Sequence, residues 1–315
     1  MATDDYVGNN LGLYGGFLLI AVSAFGLCWF LYQVLVIETR NRGLPITRAV
    51  LTPVNNLLLG GFVALIFQYI FYVLRVQYGV FTVMGKIAFV GLQTCVALNE
   101  LLAVYFTWYR TEPILDIVQS SSTSQVKKAL NFAPVIYFTQ VITSILFVSM
   151  NTSADNPAAP IYTIMNNILI GIAGVSTTLF DSIFLYIFIK YLRRNVSDFA
   201  PLPPQQSKVF KTVARYGVWS SIFCYCCSAT FLLGYTVQDP YISGFLFAVS
   251  SFFMAVIVFT LFGMKRAIWS VGGSAANTPK GTAELESRGQ TTEESFVSTV
   301  GRTFPDTERS SVWSP

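Results

Sequence analysis

Of the chain's 315 residues, 53% are hydrophobic and 15% aromatic, while 11% are charged, against about 25% in a soluble domain. A mean hydropathy of +0.56 excludes a water-soluble globule, and with a net charge of only +4 no nucleic-acid partner is expected. What remains is a membrane protein whose first partner is the lipid bilayer.

Residues 1–10 form a short, mostly polar start containing Asp4 and Asp5. Seven apolar runs follow, near 11–36, 50–74, 82–108, 131–150, 161–191, 212–235 and 241–263, each about as long as a hydrocarbon core requires. The first is too long and wrongly flanked for a cleaved signal. Period-two alternation is absent, so no β-barrel competes. The expected fold is an all-α, polytopic bundle of seven transmembrane helices over 11–263. A short amphipathic juxtamembrane helix is expected at 264–270, and a disordered Ser/Thr-rich cytoplasmic tail at 271–315.

Lys and Arg segregate into alternate loops. Arg40, Arg42 and Arg48 follow the first run; Arg110, Lys127 and Lys128 follow the third; Arg193 and Arg194 follow the fifth; Lys265 and Arg266 follow the seventh. The other loops hold little beyond Arg75 and Lys86. The positive-inside rule therefore places the N-terminus outside and the C-terminus inside. The sequon "NTS" makes Asn151 a glycosylation candidate in an outer loop, whereas "NVS" at Asn195 falls inside. All five cysteines lie within apolar runs, where they read as packing residues rather than a disulfide framework.

Catalytic chemistry finds no foothold. There is no histidine, the commonest general base and a usual zinc ligand of membrane hydrolases. No phosphate-binding glycine loop or GxSxG turn occurs. The seventh run contains no lysine before Lys265, at its edge, which argues against a retinal Schiff base. No enzyme, metal or cofactor is expected.

Polar residues inside the runs are the informative exceptions, since an intramembrane charge needs a partner or a wet cavity. Asn55 and Asn56 lie in the second run, Asn99 and Glu100 in the third, Gln140 in the fourth and Asp181 in the fifth. Together they form the expected intramembrane polar network, which Arg215 could also join. Glu100 and Asp181 could be interhelical glue, parts of a conformational switch, or a proton or cation pathway. On the outer halves, Gln93, Asn166, Asn167, Tyr235 and Tyr241 are candidate ligand-binding residues.

The number of helices, the outside N-terminus, the basic inner loops and the Ser/Thr-rich tail resemble the G-protein-coupled receptors over residues 11 to 270. "WYR" (Trp108–Arg110) stands where the rhodopsin-like members carry an acidic residue, Arg and Tyr. "FGMKRAIW" (Phe262–Trp269) is similar to the start of their amphipathic helix, with Lys265 and Arg266 toward headgroups. The linking disulfide, the tryptophan and proline of helix six and the NPxxY of helix seven have no counterpart. The resemblance is thus to a divergent branch, such as the receptor-like proteins of fungi. It implies a plasma-membrane signalling protein that senses a small or lipid-like ligand. A heterotrimeric G protein would meet a cytoplasmic surface of Arg110, Lys127, Lys128, Arg193 and Arg194. A seven-helix solute transporter and a non-signalling membrane scaffold are the alternatives.

Overall fold

The computed structural model describes residues 2–42, 52–79, 82–118, 120–150, 159–197, 204–237 and 239–276. Asn151 and the tail beyond residue 276 lie outside them. Among the described residues the protein is helical, without strands. Helix α1 runs through an α-helical Ala2–Tyr32, a π-helical Gln33–Glu38 and a last α-helical turn, Thr39–Arg42. The others are α2 (Pro53–Tyr78), α3 (Val83–Val118), α4 (Ser120–Met150), α5 (Ala159–Ser197), α6 (Pro204–Thr236) and α7 (Pro240–Ala276). All seven carry a stretch long and apolar enough to cross a membrane, from Gly12–Glu38 in α1 to Ile242–Ile268 in α7.

Local chemistry sets the ends. At the start of α2, Thr52 Oγ1 accepts from the Asn55 amide at 3.4 Å and Pro53 occupies the first turn, where its missing N–H costs nothing. α2 stops at Gly79, whose φ of 70° only glycine adopts freely. Asp239 Oδ1 caps α7 through the Ile242 amide at 3.1 Å, again just ahead of a proline. The connection expected over 110–130 is largely helical: α3 extends to Val118, and α4 begins at Ser120. Hydropathy marks where the apolar stretch ends, whereas a helix needs only adequate propensity and continues into water. An exposed Lys127–Glu112 pair at 3.5 Å joins these two extensions. α7 likewise passes without a break through 264–270 to Ala276.

Consecutive helices pack side by side, and α1 meets α7, so the bundle closes into a ring in sequence order. Across the ring α3 also packs on α5, and α2 on α7. Phe17, Leu18, Phe25, Phe67, Ile142, Ile164, Ile168 and Phe245 face outward, exposed. A surface this apolar on every helix suits lipid rather than water.

The buried apolar residues form two clusters rather than one. The larger joins α1, α2, α6 and α7 through Phe30, Phe62, Leu65, Val213, Ile257 and Phe262, with Phe106 added from α3. The smaller joins α3, α4 and α5 through Ala97, Trp108, Ala133, Tyr137, Ala173 and Phe184. The first is aromatic: Phe62 meets Phe30, Phe259 and Phe262 at ring-centroid distances of 5.9, 5.4 and 6.0 Å. α1 reaches it at Gly26, where a Cβ would fall 2.5 Å from the Phe259 ring and 2.8 Å from that of Phe62.

Candidate functional site

Two polar centres lie inside the bundle. The first is at the end of the ring where Arg40, Lys127, Lys128 and Lys211 lie, here termed the basic end. Three helices contribute one residue each: Glu38 from α1, Asn55 from α2 and Lys265 from α7. Glu38 and Lys265 form an ion pair. Asn55 links to both, donating from Nδ2 to Glu38 Oε2 at 3.2 Å and accepting at Oδ1 from the Lys265 ammonium. Their exposures of 3%, 2% and 7% put the whole clasp out of solvent. The ammonium also stands 5.3 Å from the Phe30 ring centroid, a cation–π contact.

Glu38 reaches this position at the end of the π-helical turn. The Thr39 hydroxyl bonds back to the carbonyl of Leu35 and, at 3.5 Å, to that of Val36. Such back-bonding competes with the helical ladder and favours a local change of winding, and π turns frequently mark functional positions. Lys265, expected among the headgroups, is instead buried. It lies on the inward face of α7 with Leu261 and Met264, while Arg266 turns outward to place its guanidinium carbon 5.2 Å from the Trp29 ring centroid.

The second centre lies deeper, as a chain of side-chain bonds around the ring. Asn99 Nδ2 donates to Gln68 Oε1 at 2.9 Å, tying α3 to α2. Gln140 Nε2 donates to Glu100 Oε2 at 2.9 Å, tying α4 to α3. Ser144 Oγ donates to Asn166 Oδ1 at 3.0 Å between α4 and α5, and the Ser221 hydroxyl donates to Asp181 Oδ2 between α6 and α5. Thr178 and Ser228 share a further bond of 2.9 Å. Tyr69 Oη donates to the Ser251 carbonyl at 2.7 Å, joining α2 to α7. Within a membrane each such bond contributes about 0.6–2 kcal/mol.

Between α3 and α5 on one side and α6 and α7 on the other is a cavity of about 40 Å³, enough for one or a few water molecules. It lies on the seam between the two apolar clusters. Asn99, Glu100, Thr107, Asp181, Ser220 and Ser228 supply its polar wall, and no Lys or Arg lines it. Thr107 is about 10 Å nearer the basic end than Glu100 at 1.5 Å per residue, and Cys227 and Ser228 line the cavity from beyond the middle of the α6 span, so the cavity runs through the middle of the bundle with its two carboxylates toward the basic end.

Of the expected network, Glu100 and Gln140 are bonded to each other, Asn99 and Asp181 share the cavity with Glu100, and Asn55 belongs to the clasp. Asn56 and Arg215 are exposed. In the opposite half, Gln93 and Asn166 are buried, Asn167 is half-buried, and Tyr235 and Tyr241 stand at the end of α6 and the start of α7. Lys127 and Lys128 are exposed on α4, with Arg110 on α3 and Arg193 and Arg194 on α5.

Sequence reasoning missed the Glu38–Lys265 pair. A signal existed: one carboxylate ends the first apolar run and one lysine ends the last, and a closed ring must bring those two helices together. No family model, curated protein or solved structure matches the chain.

Proposed function

We propose that the protein is a G-protein-coupled-receptor-like signalling protein, in which a small or lipid-like ligand shifts the balance between two arrangements of the bundle. The observation that carries this reading is the division of the interior into two apolar clusters that meet at a seam holding a small cavity with Glu100 and Asp181 in its wall. Packed cores move as bodies rather than deforming continuously, so a bundle split in this way can shift one half against the other. The clasp favours one arrangement, because a buried ion pair adds little net stability while intact but costs heavily when one partner is withdrawn. At about 40 Å³ the seam is far below the roughly 300 Å³ of a typical ligand pocket. Ligand binding therefore belongs to the opposite half, near Gln93, Asn166 and Asn167, where Gln93 Oε1 is a buried acceptor without a hydrogen-bond partner. The surface of Arg110, Lys127, Lys128, Arg193 and Arg194 would meet a heterotrimeric G protein at the plasma membrane.

Nucleotide exchange by a panel of heterotrimeric G proteins, measured with the protein in nanodiscs, tests the reading. Lys265→Met should raise basal exchange severalfold by freeing the clasp, and Arg110→Ala should lower it. Exchange no faster than with empty nanodiscs, for wild type and Lys265→Met alike, would refute signalling through G proteins. The position of both cavity carboxylates in the basic half favours a second reading, a proton- or cation-coupled carrier. Flux into proteoliposomes that Glu100→Gln abolishes would select it.

A further inference from the structure

A larger space lies on the outside of the bundle, away from the basic end: a groove of about 510 Å³ between α2, α3 and α4, within the roughly 300–1,000 Å³ of small-molecule sites. Phe71, Ile87, Val90, Cys95 and Val148 make its wall apolar. Val83 and Ile87 on its rim are exposed, so it opens sideways to the bilayer. At Gly91 a Cβ would fall 2.7 Å from the Phe71 ring, and the missing side chain is what seats that ring against α3. The Thr94 hydroxyl donates to the Val90 carbonyl at 2.8 Å, which leaves the Lys86 ammonium as the charged group of the wall. Lys86 is half-buried and has no ion-pair partner among the described residues, and no Asp or Glu lines the groove. Arg75 stands at the same level, as near the end of α2 as Lys86 is to the start of α3, with its guanidinium carbon 4.8 Å from the Phe89 ring centroid. The connections at this end contain no other Lys or Arg.

From this we infer that the groove binds an anionic phospholipid of the surrounding leaflet, one acyl chain lying along α3 and the phosphate meeting Lys86, with Arg75 adding positive charge at the mouth. Lys86 and Cys95 are about 14 Å apart along α3 at 1.5 Å per residue, close to half of a hydrocarbon core of about 30 Å. The groove therefore runs from headgroup level toward the midplane, the course an acyl chain follows. An apolar wall gives no preference of its own, because a chain gains little by leaving lipid tails for side chains as apolar as they are. Selection falls to the headgroup, where each Lys or Arg near the membrane surface favours an anionic lipid about fivefold. The site does not depend on the bundle signalling, and its test involves no G protein.

Photocrosslinking of the full chain in nanodiscs is the experiment, with phosphatidylserine or phosphatidylcholine carrying the same mid-chain diazirine as probes and peptide mapping of the adducts as the readout. Residues 83–95 should be labelled about fivefold or more in favour of phosphatidylserine. Lys86→Gln should lower that ratio by about fivefold. Thr94→Trp fills the groove while leaving Lys86 in place and should bring the ratio near one, which keeps the test decisive if Lys86→Gln fails to fold. Lys211→Gln, an exposed change at the basic end, should leave it unaltered. Equal labelling of wild type by the two probes, a ratio kept in full by Lys86→Gln or Thr94→Trp, or an equal loss in Lys211→Gln would overturn the site.

Discussion

The half built on α1, α2, α6 and α7 and the half built on α3, α4 and α5 hold their buried charge in different ways. In the first, Glu38 meets a lysine, an asparagine completes the hydrogen bonding, and aromatic rings surround the group. In the second, Glu100 is bonded to an amide and Asp181 to a hydroxyl, beside a cavity with no basic residue in its wall. The first arrangement is all-or-none, because withdrawing either charge strands the other in a low dielectric. The second is graded, because a neutral partner can be replaced by a bridging water at little cost.

The contrast breaks most visibly at the clasp. Lys265→Met strands Glu38 and should destabilise the protein by about 3–5 kcal/mol, read by thermal unfolding in detergent. Adding Glu38→Leu removes the stranded charge, and the double variant should recover all but about 1–3 kcal/mol, for the two hydrogen bonds that Asn55 makes to Glu38 and Lys265. A double variant no better than the single would show that the two residues do not act as a pair. Next comes the packing of α1. Gly26→Ala drives a methyl into Phe259 and Phe62 and should cost about 1–3 kcal/mol, whereas Gly15→Ala, with nothing within 4 Å, should leave the melting temperature at or slightly above wild type.

At the seam, Glu100→Leu leaves the Gln140 amide without its acceptor and should cost about 1–3 kcal/mol, while Glu100→Gln should change stability by less than half of that. A Leu variant as stable as wild type would remove the carboxylate from the network. The smallest effect belongs to Lys127→Ala. Its pair with Glu112 is exposed and should contribute under about 1 kcal/mol, a difference that also vanishes at high salt.

Much of the fold was legible in the sequence because the bilayer imposes a length and a polarity that each helix must meet alone. The seven apolar runs overlap the seven spans, and the largest difference lies where α3 and α4 continue past the last apolar residue. Intramembrane polar residues such as Glu100 and Asp181 stood out for the same reason. Their partners did not, because hydropathy carries no information about which face of a helix meets which neighbour: Asn55 and Asn56 are adjacent in sequence, yet one is buried in the clasp and the other exposed.

By itself, then, the sequence determined which segments are long and apolar enough to cross a membrane and which polar positions had to be accommodated within them, since these follow from transfer free energies of individual segments. Only the tertiary structure decided that Glu38 and Lys265, 227 positions apart by residue number (265 − 38), neutralise one another, that the apolar interior divides in two, and that Glu100 and Asp181 face a shared cavity. Those outcomes depend on helix rotation and on ring closure. Both are fixed by side chains that meet across the bundle, not by any one segment.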